Sequence, residues 1–361
     1  MLKGNKGEWS EPYALLKLLA DGKLFLGDEN FEKVESVFYP IIQVIKHEKS
    51  RSIDFSIHDN LVIVSDGLVQ FQISISEFVD KAKFCFEKIT SSKSKTGSFA
   101  IPEIQAFLNT LTIDTLKAKA SIKNDITIQI KDLNTYTAPS LGFSIKSQLG
   151  APSTLLNASA VTNFTYILKG RALNAAEINR INSAEKFADK FRLLNEFDVK
   201  PEFHEVENRV FRSNLKTIDF YFEKVLASVL LLYYSGNGVP DNSIKRLVEL
   251  VARDNFMEYD LDINPGMYEM AMKRFLTDYA LGMRASEVWK RDYEAAGGYL
   301  VVKEDGELIC YNFYFTKNFE NYLYNNTKLE TASMSRHQFG EIYSQDDRQL
   351  FKLNLQIRFI R

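Results

Sequence analysis

The apolar positions of this chain change period several times, and each change marks a boundary between helix and strand. Leu15, Leu16, Leu18 and Leu19 fall on one side of a helix from about Ser10 to Ala20, closed by "ADGK". Beyond it, 35–45, 51–58 and 61–73 carry β-branched residues punctuated by "HDN" and "SDG", the pattern of consecutive strands. Helical spacing returns over 75–90 and 102–111, and two further strands are predicted over 125–132 and 141–148. From about 174 to 290 the pattern is mainly helical, with segments at 216–234, 241–253 and 265–281. Two strands then flank the Glu-Asp-Gly turn of "GGYLVVKEDGELICYNFYF". The closing strand "FKLNLQIRF" alternates throughout. Phe351, Leu353, Leu355, Ile357 and Phe359 take one side; Lys352, Asn354, Gln356 and Arg358 take the other.

No internal repeat and no Pro/Gly/Ser-rich linker interrupts this pattern, which predicts one elaborated α/β unit. A core over about 1–170 would precede a helical region over about 171–290 and a β-rich tail over about 291–361. Its 361 residues, 45% of them hydrophobic, are enough for a large core. The apolar run "VLASVLLLYY" is far shorter than the roughly 20 residues of a membrane span, and "MLKGNKGEWSE" lacks the apolar block of a signal peptide. A cytoplasmic protein is expected. Two cysteines, Cys85 and Cys310, supply neither a disulfide framework nor a cysteine-type zinc cluster. The four histidines form no H-E-x-x-H pair, which argues against a zinc enzyme. A net charge of −2 gives no overall pull toward a polyanion. Basic stretches are local, "SSKSKTGS" at 91–98 and "KLNLQIRFIR" at the end, and read as a solvated loop and a polar strand face.

Lys146 raises the chemical question, because it lies inside the apolar run "FSIKS". If 125–132 and 141–148 form a hairpin with Asp125 opposite Gln148 and Thr127 opposite Lys146, the side chains sort cleanly. Asp125, Thr127, Gln129, Lys131, Ser144, Lys146 and Gln148 share one face; Ile126, Ile128, Ile130, Phe143, Ile145 and Ser147 share the other. Asp125 becomes the diagonal neighbour of Lys146, and Asp132 falls on the opposite side. An acid and a lysine so placed suit phosphodiester hydrolysis, which needs hard oxygen ligands for a divalent ion and a cation to orient or activate water.

This strand pair resembles the PD-(D/E)xK nucleases. The helix opening "KGEWSE", with Lys6, Gly7 and Glu11, resembles the first motif of Holliday-junction resolvases and related nucleases of that fold, in which a helix-borne glutamate reaches the metal. Glu11, like Glu8, would equally serve as a first-turn acid favourable to the helix dipole. Three blocks taken together, "GNKGEWSEPYALLKLLADGKL", "KNDITIQIKDL...LGFSIKSQLGAPSTLLNASAVTNF" and "NTKLETASMSRHQFGEIY...FKLNLQIRF", resemble the HpaII family of type II restriction endonucleases, in the same order and over nearly the full chain. The resemblance implies a restriction-endonuclease-like α/β fold, a mixed sheet flanked by helices, with added helical and β-rich elements for DNA recognition. It also implies Mg²⁺-dependent cleavage of double-stranded DNA at CCGG after the first C, in a bacterial cytoplasm, blocked by the modification of a methyltransferase that forms no stable complex with the nuclease. The motif position two before the lysine, normally acidic, is Ser144. Asp125 and Glu11 are therefore the expected Mg²⁺ ligands and Lys146 the group on the attacking water, while Gln148 with a backbone carbonyl is the other way to complete the site.

Ser147, Thr154, Asn157, Ser159, Thr162 and Asn163 carry hydroxyls and amides that bind phosphates and base edges, although Ser153 or Thr154 would equally cap a helix. In "ETASMSRHQFG", Arg336 is the expected guanine reader, with Ser335 and His337 beside it. A palindromic target favours a homodimer, and a monomer nicking each strand in turn is the other possibility. A structure-specific junction or repair nuclease would share Glu11, Asp125 and Lys146, and a non-catalytic DNA-binding protein of the same fold would account for Ser144.

Overall fold

Apolar faces and the caps between them produce the observed order of elements in a computed structural model that describes every residue except 30, 95–96, 118–123, 134–135, 237–240, 294–296, 313–315 and 361. The basic stretch at 91–98, the hairpin connection at 133–140 and the ends of both tail segments therefore lie partly outside the described residues. In chain order the strands begin with β1 (Lys23–Gly27), β2 (Lys33–His47), β3 (Ser52–His58), β4 (Leu61–Ser65), β5 (Gln70–Ser74), β6 (Ile126–Ile130) and β7 (Ser140–Ser147). They continue with β8 (Thr154–Leu156), β9 (Asn163–Gly170), β10 (Val199–Val206), β11 (Gly298–Val302), β12 (Leu308–Tyr311), β13 (Thr327–Leu329), β14 (Ile342–Gln345), β15 (Arg348–Asn354) and β16 (Ile357–Phe359). The helices are α1 (Lys6–Asp21), α2 (Ile75–Ser91), α3 (Pro102–Thr110), α4 (Ala175–Asn182), α5 (Phe187–Glu196), α6 (Arg209–Lys216), α7 (Phe222–Ser235), α8 (Ile244–Asp254), α9 (Met267–Leu281), α10 (Thr316–Asn325) and α11 (Met334–His337).

The chain divides into two compact units, Met1–Ser153 with Tyr293–Tyr322, and Thr154–Asp292 with Leu323–Ile360. This division does not follow the expected one along the sequence. The first part of the β-rich tail returns to the first unit, where β11 and β12 join the main sheet.

The first unit is built on a nine-stranded sheet of order β1-β12-β11-β7-β6-β2-β3-β4-β5. The long strand β2 pairs with β1 through its first half and with β6 and β3 through its second, so part of the sheet closes on itself. Helix α1 starts where Asn5 and Glu8 form a capping box and stops at Gly22 in the left-handed region. Its buried Trp9, Tyr13, Leu15, Leu16, Leu18 and Leu19 join Ile126, Ile128 and Phe143 in one core. Strand β11 runs parallel to β7 from Gly298, whose φ of +89° and approach to the Tyr311 carbonyl leave no room for a Cβ. The expected strand over 61–73 is two strands, β4 and β5, separated by the Asp66–Gly67 turn.

The second unit holds a four-stranded sheet, β10-β9-β15-β14, and a three-stranded one, β13-β16-β8. The expected single strand over 351–359 is two. Its alternation is real, but Asn354 and Gln356 on the polar side are buried as well. Between them Leu355 N–H donates to the Thr162 carbonyl at 3.0 Å, and the chain passes from one sheet to the other. Strand β10 also lies inside a stretch that reads as helical, because its Phe203 alternates with charged and polar neighbours only briefly.

Candidate active site

Strand β6 lies antiparallel to both β2 and β7, so the end of β2, the start of β6 and the end of β7 meet at one edge of the first unit's sheet. Thr127 stands opposite Gly142, not opposite Lys146, an offset of four residues from the expected register. The offset is even, so every side chain keeps its expected face. Asp125 precedes Ile126, which pairs with Phe143, and so comes beside Ser144 and diagonal to Lys146. Asp125 Oδ2 accepts the Ile145 N–H at 2.6 Å and the Ser144 hydroxyl at 3.2 Å. Asp132 instead bridges Thr137 across the hairpin.

Helix α1 brings the second carboxylate. Ser10 Oγ lies 2.7 Å from Ser147 Oγ, and Gly150 passes so close to Gly7 that an added Cβ would sit 3.2 Å from the Gly7 nitrogen. These contacts fix the first turns of α1 against the exit of β7, and Glu11, with Oε2 inaccessible to solvent, acts electrostatically on Lys146. Glu8, by contrast, caps the helix and pairs with Lys117 at 2.6 Å.

Burial lowers the proton affinity of Lys146 below that of an ordinary lysine, against the opposing pull of Asp125 and Glu11. Its ammonium also lies over the Tyr299 ring, 4.9 Å from the centroid, and Tyr299 is paired with Ser144 on β11. Burial likewise raises the Asp125 carboxyl, although the Ile145 N–H, Lys146, Ser144 and Lys46 all favour its charged form.

Lys46 is the residue that the sequence reading missed. It is 5% exposed, and its Nζ lies 3.9 Å from Glu48 Oε1. Burial lowers its proton affinity while Glu48, Glu11 and Asp125 oppose that effect. Glu48 in turn accepts the Thr115 hydroxyl at 2.6 Å. The available signal was parity: Val44 and Lys46 share a strand face, and a lysine two residues beyond a buried valine occupies a core-facing position.

The expected pairing of Gln148 with Asp125 is not formed, since Ile126 pairs with Phe143, and Gln148 Oε1 accepts the Glu304 N–H at 3.3 Å. Two carboxylates, Glu11 and Asp125, remain as hard oxygen donors. Among the described residues no group of three or more His, Cys, Asp or Glu has a metal-holding arrangement. A Mg²⁺ that keeps several waters and shares substrate phosphate needs only one or two carboxylates, so this donor set fits it.

The pattern defining the HpaII restriction endonuclease family matches residues 5–359. Type II restriction enzyme HpaII of Haemophilus parainfluenzae is 45% identical over 359 residues, 99% of this chain and 98% of that protein. The chain belongs to the HpaII restriction endonuclease family. No solved structure matches it.

The residues expected on this restriction endonuclease's DNA face separate by exposure. Asn157, Ser335 and Arg336 are exposed, and Ser159 and His337 are partly so. Thr154 lies in β8 opposite Arg358 and caps no helix. Ser147 is held by Ser10. Thr162 and Asn163, at 0% and 1% exposure, are buried and cannot touch DNA directly, which corrects their assignment. Among the described residues no helix is long and apolar enough to cross a membrane.

Proposed function

We propose that this restriction endonuclease has the PD-(D/E)xK fold and cuts double-stranded DNA in the presence of Mg²⁺ at the palindrome CCGG, after the first C, leaving 5′-phosphates. The convergence of Asp125, Lys146 and Glu11 at one sheet edge is the observation that carries this reading. Hydrolysis joins a water oxygen to phosphorus and breaks the bond to O3′, which takes a proton from solvent as it leaves. Asp125 and Glu11 would hold the divalent ion, which when bound polarises the phosphate and offsets developing charge. Lys146 orients the attacking water and takes up its proton, and its reduced proton affinity suits that task. Ser144 steadies Asp125 in place of the usual second acid.

Recognition is assigned to the exposed Arg336 as guanine reader, with Ser335 and His337 beside it and Asn157, Ser159 and Thr154 as further polar contacts. A homodimer would match the two-fold symmetry of the site. A bacterial cytoplasm and a companion methyltransferase complete the proposal.

Plasmid DNA incubated with the protein and Mg²⁺, with and without EDTA, followed by sequencing of the ends, is the test. Discrete fragments ending at CCGG only without EDTA are expected. Intact plasmid with specific binding, or cleavage confined to branched DNA, would overturn the reading.

A further inference from the structure

The two residues removed from the DNA-contact set lie in a buried polar cluster of the second unit. Asn354 Nδ2 faces the Ser159 carbonyl at 2.8 Å, Thr162 Oγ1 at 3.2 Å and Asn163 Oδ1 at 2.7 Å. Asn163 Nδ2 in turn donates to the backbone carbonyl of His337 at 3.0 Å. Asn163 and Asn354 are each 1% exposed. One chain of side-chain amides thus runs from β15 through β9 to the last residue of α11, immediately after Arg336.

The rest of that turn is anchored too. Phe339 is buried and stacks on Phe187 with ring centroids 5.8 Å apart. Gly340 N–H donates to the Lys352 carbonyl at 2.9 Å, and its φ of +84° with Met334 packed against it favours glycine. Ser335 and Arg336 stand on the exposed crown of a four-residue helix, and Arg336 has no ion-pair partner among the described residues. A bidentate guanine contact demands a fixed backbone beneath the arginine, because a rotamer-rich side chain on a loose turn loses the fork geometry.

The cluster is also not the cheapest filling for this space. Asn354 Oδ1 is buried and accepts no hydrogen bond from the described residues, a cost that an apolar side chain would avoid. Retaining two amides there favours fixed geometry over maximal stability.

We infer that Asn163, clamped by Asn354, is a positioning residue for base recognition, holding the His337 carbonyl so that Arg336 is presented to guanine. The inference rests on the assignment of Arg336 under the proposed function.

Wild type, Asn163→Ser, Arg336→Ala and the double variant are compared by kcat/KM on duplexes carrying CCGG and each single-base-pair change, with binding to unrelated duplex DNA and thermal melting measured alongside. Serine is too short to reach the His337 carbonyl. At least a ten-fold loss of discrimination in Asn163→Ser is expected, with unrelated-DNA binding unchanged and the double variant no worse than Arg336→Ala. Unchanged discrimination, or losses that multiply in the double variant, would overturn the positioning role while leaving Arg336 as reader. Full discrimination in Arg336→Ala would remove that reader, and the inference with it. Should Asn163→Ser melt below the assay temperature, Asn354→Ser takes its place in the same cycle, since it releases the clamp on Asn163.

Discussion

Ile145 donates its backbone N–H to Asp125 Oδ2 at 2.6 Å, so the carboxylate is tied to the strand residue adjacent to Lys146. The bond fixes acid and lysine relative to one another before any substrate binds. Asp125→Asn retains a carbonyl oxygen for that bond while removing the charge. Melting is therefore expected to change little, and cleavage to fall about a thousand-fold, as loss of a proposed divalent-ion ligand worth roughly 4 kcal/mol implies. Cleavage at the wild-type rate would remove Asp125 from the chemistry.

Lys46 is a buried lysine on which Glu48, Glu11 and Asp125 all act electrostatically. Lys46→Met keeps the aliphatic stem and deletes the charge. Cleavage should fall by about ten-fold or more, as loss of a positive charge beside the proposed site implies. Calcium binding, measured by calorimetry without turnover, should tighten, because a competing cation has left. Weaker calcium binding together with unaltered cleavage would show that Lys46 serves the core alone.

Which parts of this site were legible in the sequence follows from how local their causes are. The faces of β6 and β7 were readable because alternation with Ile126, Ile128 and Ile130 is a local signal, and it survived an error of four residues in register. The register itself depended on a connection whose turn geometry the residues do not specify. Glu11 acts electrostatically on Lys146, and the helix that carries it is held there by contacts such as Ser10 with Ser147 that bridge 137 residues of chain. Lys46 went unnoticed because its acidic neighbours Glu11 and Asp125 are distant in sequence and only Glu48 is near. Thr162 and Asn163 looked like DNA ligands because polarity alone does not distinguish a solvated amide from one satisfied inside a core.

Tyr299 comes to Lys146 from β11, more than 150 residues further along the chain. Its ring face attracts the ammonium and limits where the amine can swing. Tyr299→Phe keeps the ring, and single-turnover cleavage should stay within about two-fold of wild type. Tyr299→Leu removes the surface that confines the amine and should slow cleavage about 3- to 30-fold, as roughly 0.5–2 kcal/mol of lost positioning would give. Equal rates for the two variants would mean that the ring contributes only volume.

Lys190 offers a pH-dependent test of the second unit that is independent of catalysis. It is 1% exposed, and its Nζ donates to the carbonyls of Ile181 and Asn182 at 3.0 and 2.9 Å, the end of α4 where intrahelical donors run out. Lys190→Met leaves these carbonyls bare and should destabilise the protein by about 1–3 kcal/mol at neutral pH. Burial lowers the proton affinity of Lys190, with Glu341 opposing. Between that lowered value and the ordinary 10.5, the unfolded chain binds more protons than the folded one. Folding stability contributed by Lys190 therefore rises with pH across this window, whereas the methionine variant has no such group. In urea unfolding at pH 7.5, 8.5 and 9.5, the gap between wild type and Lys190→Met should widen toward alkaline pH. A gap that narrows would mean that the charged form is the one the fold favours, held by the two helix carbonyls against the cost of burial.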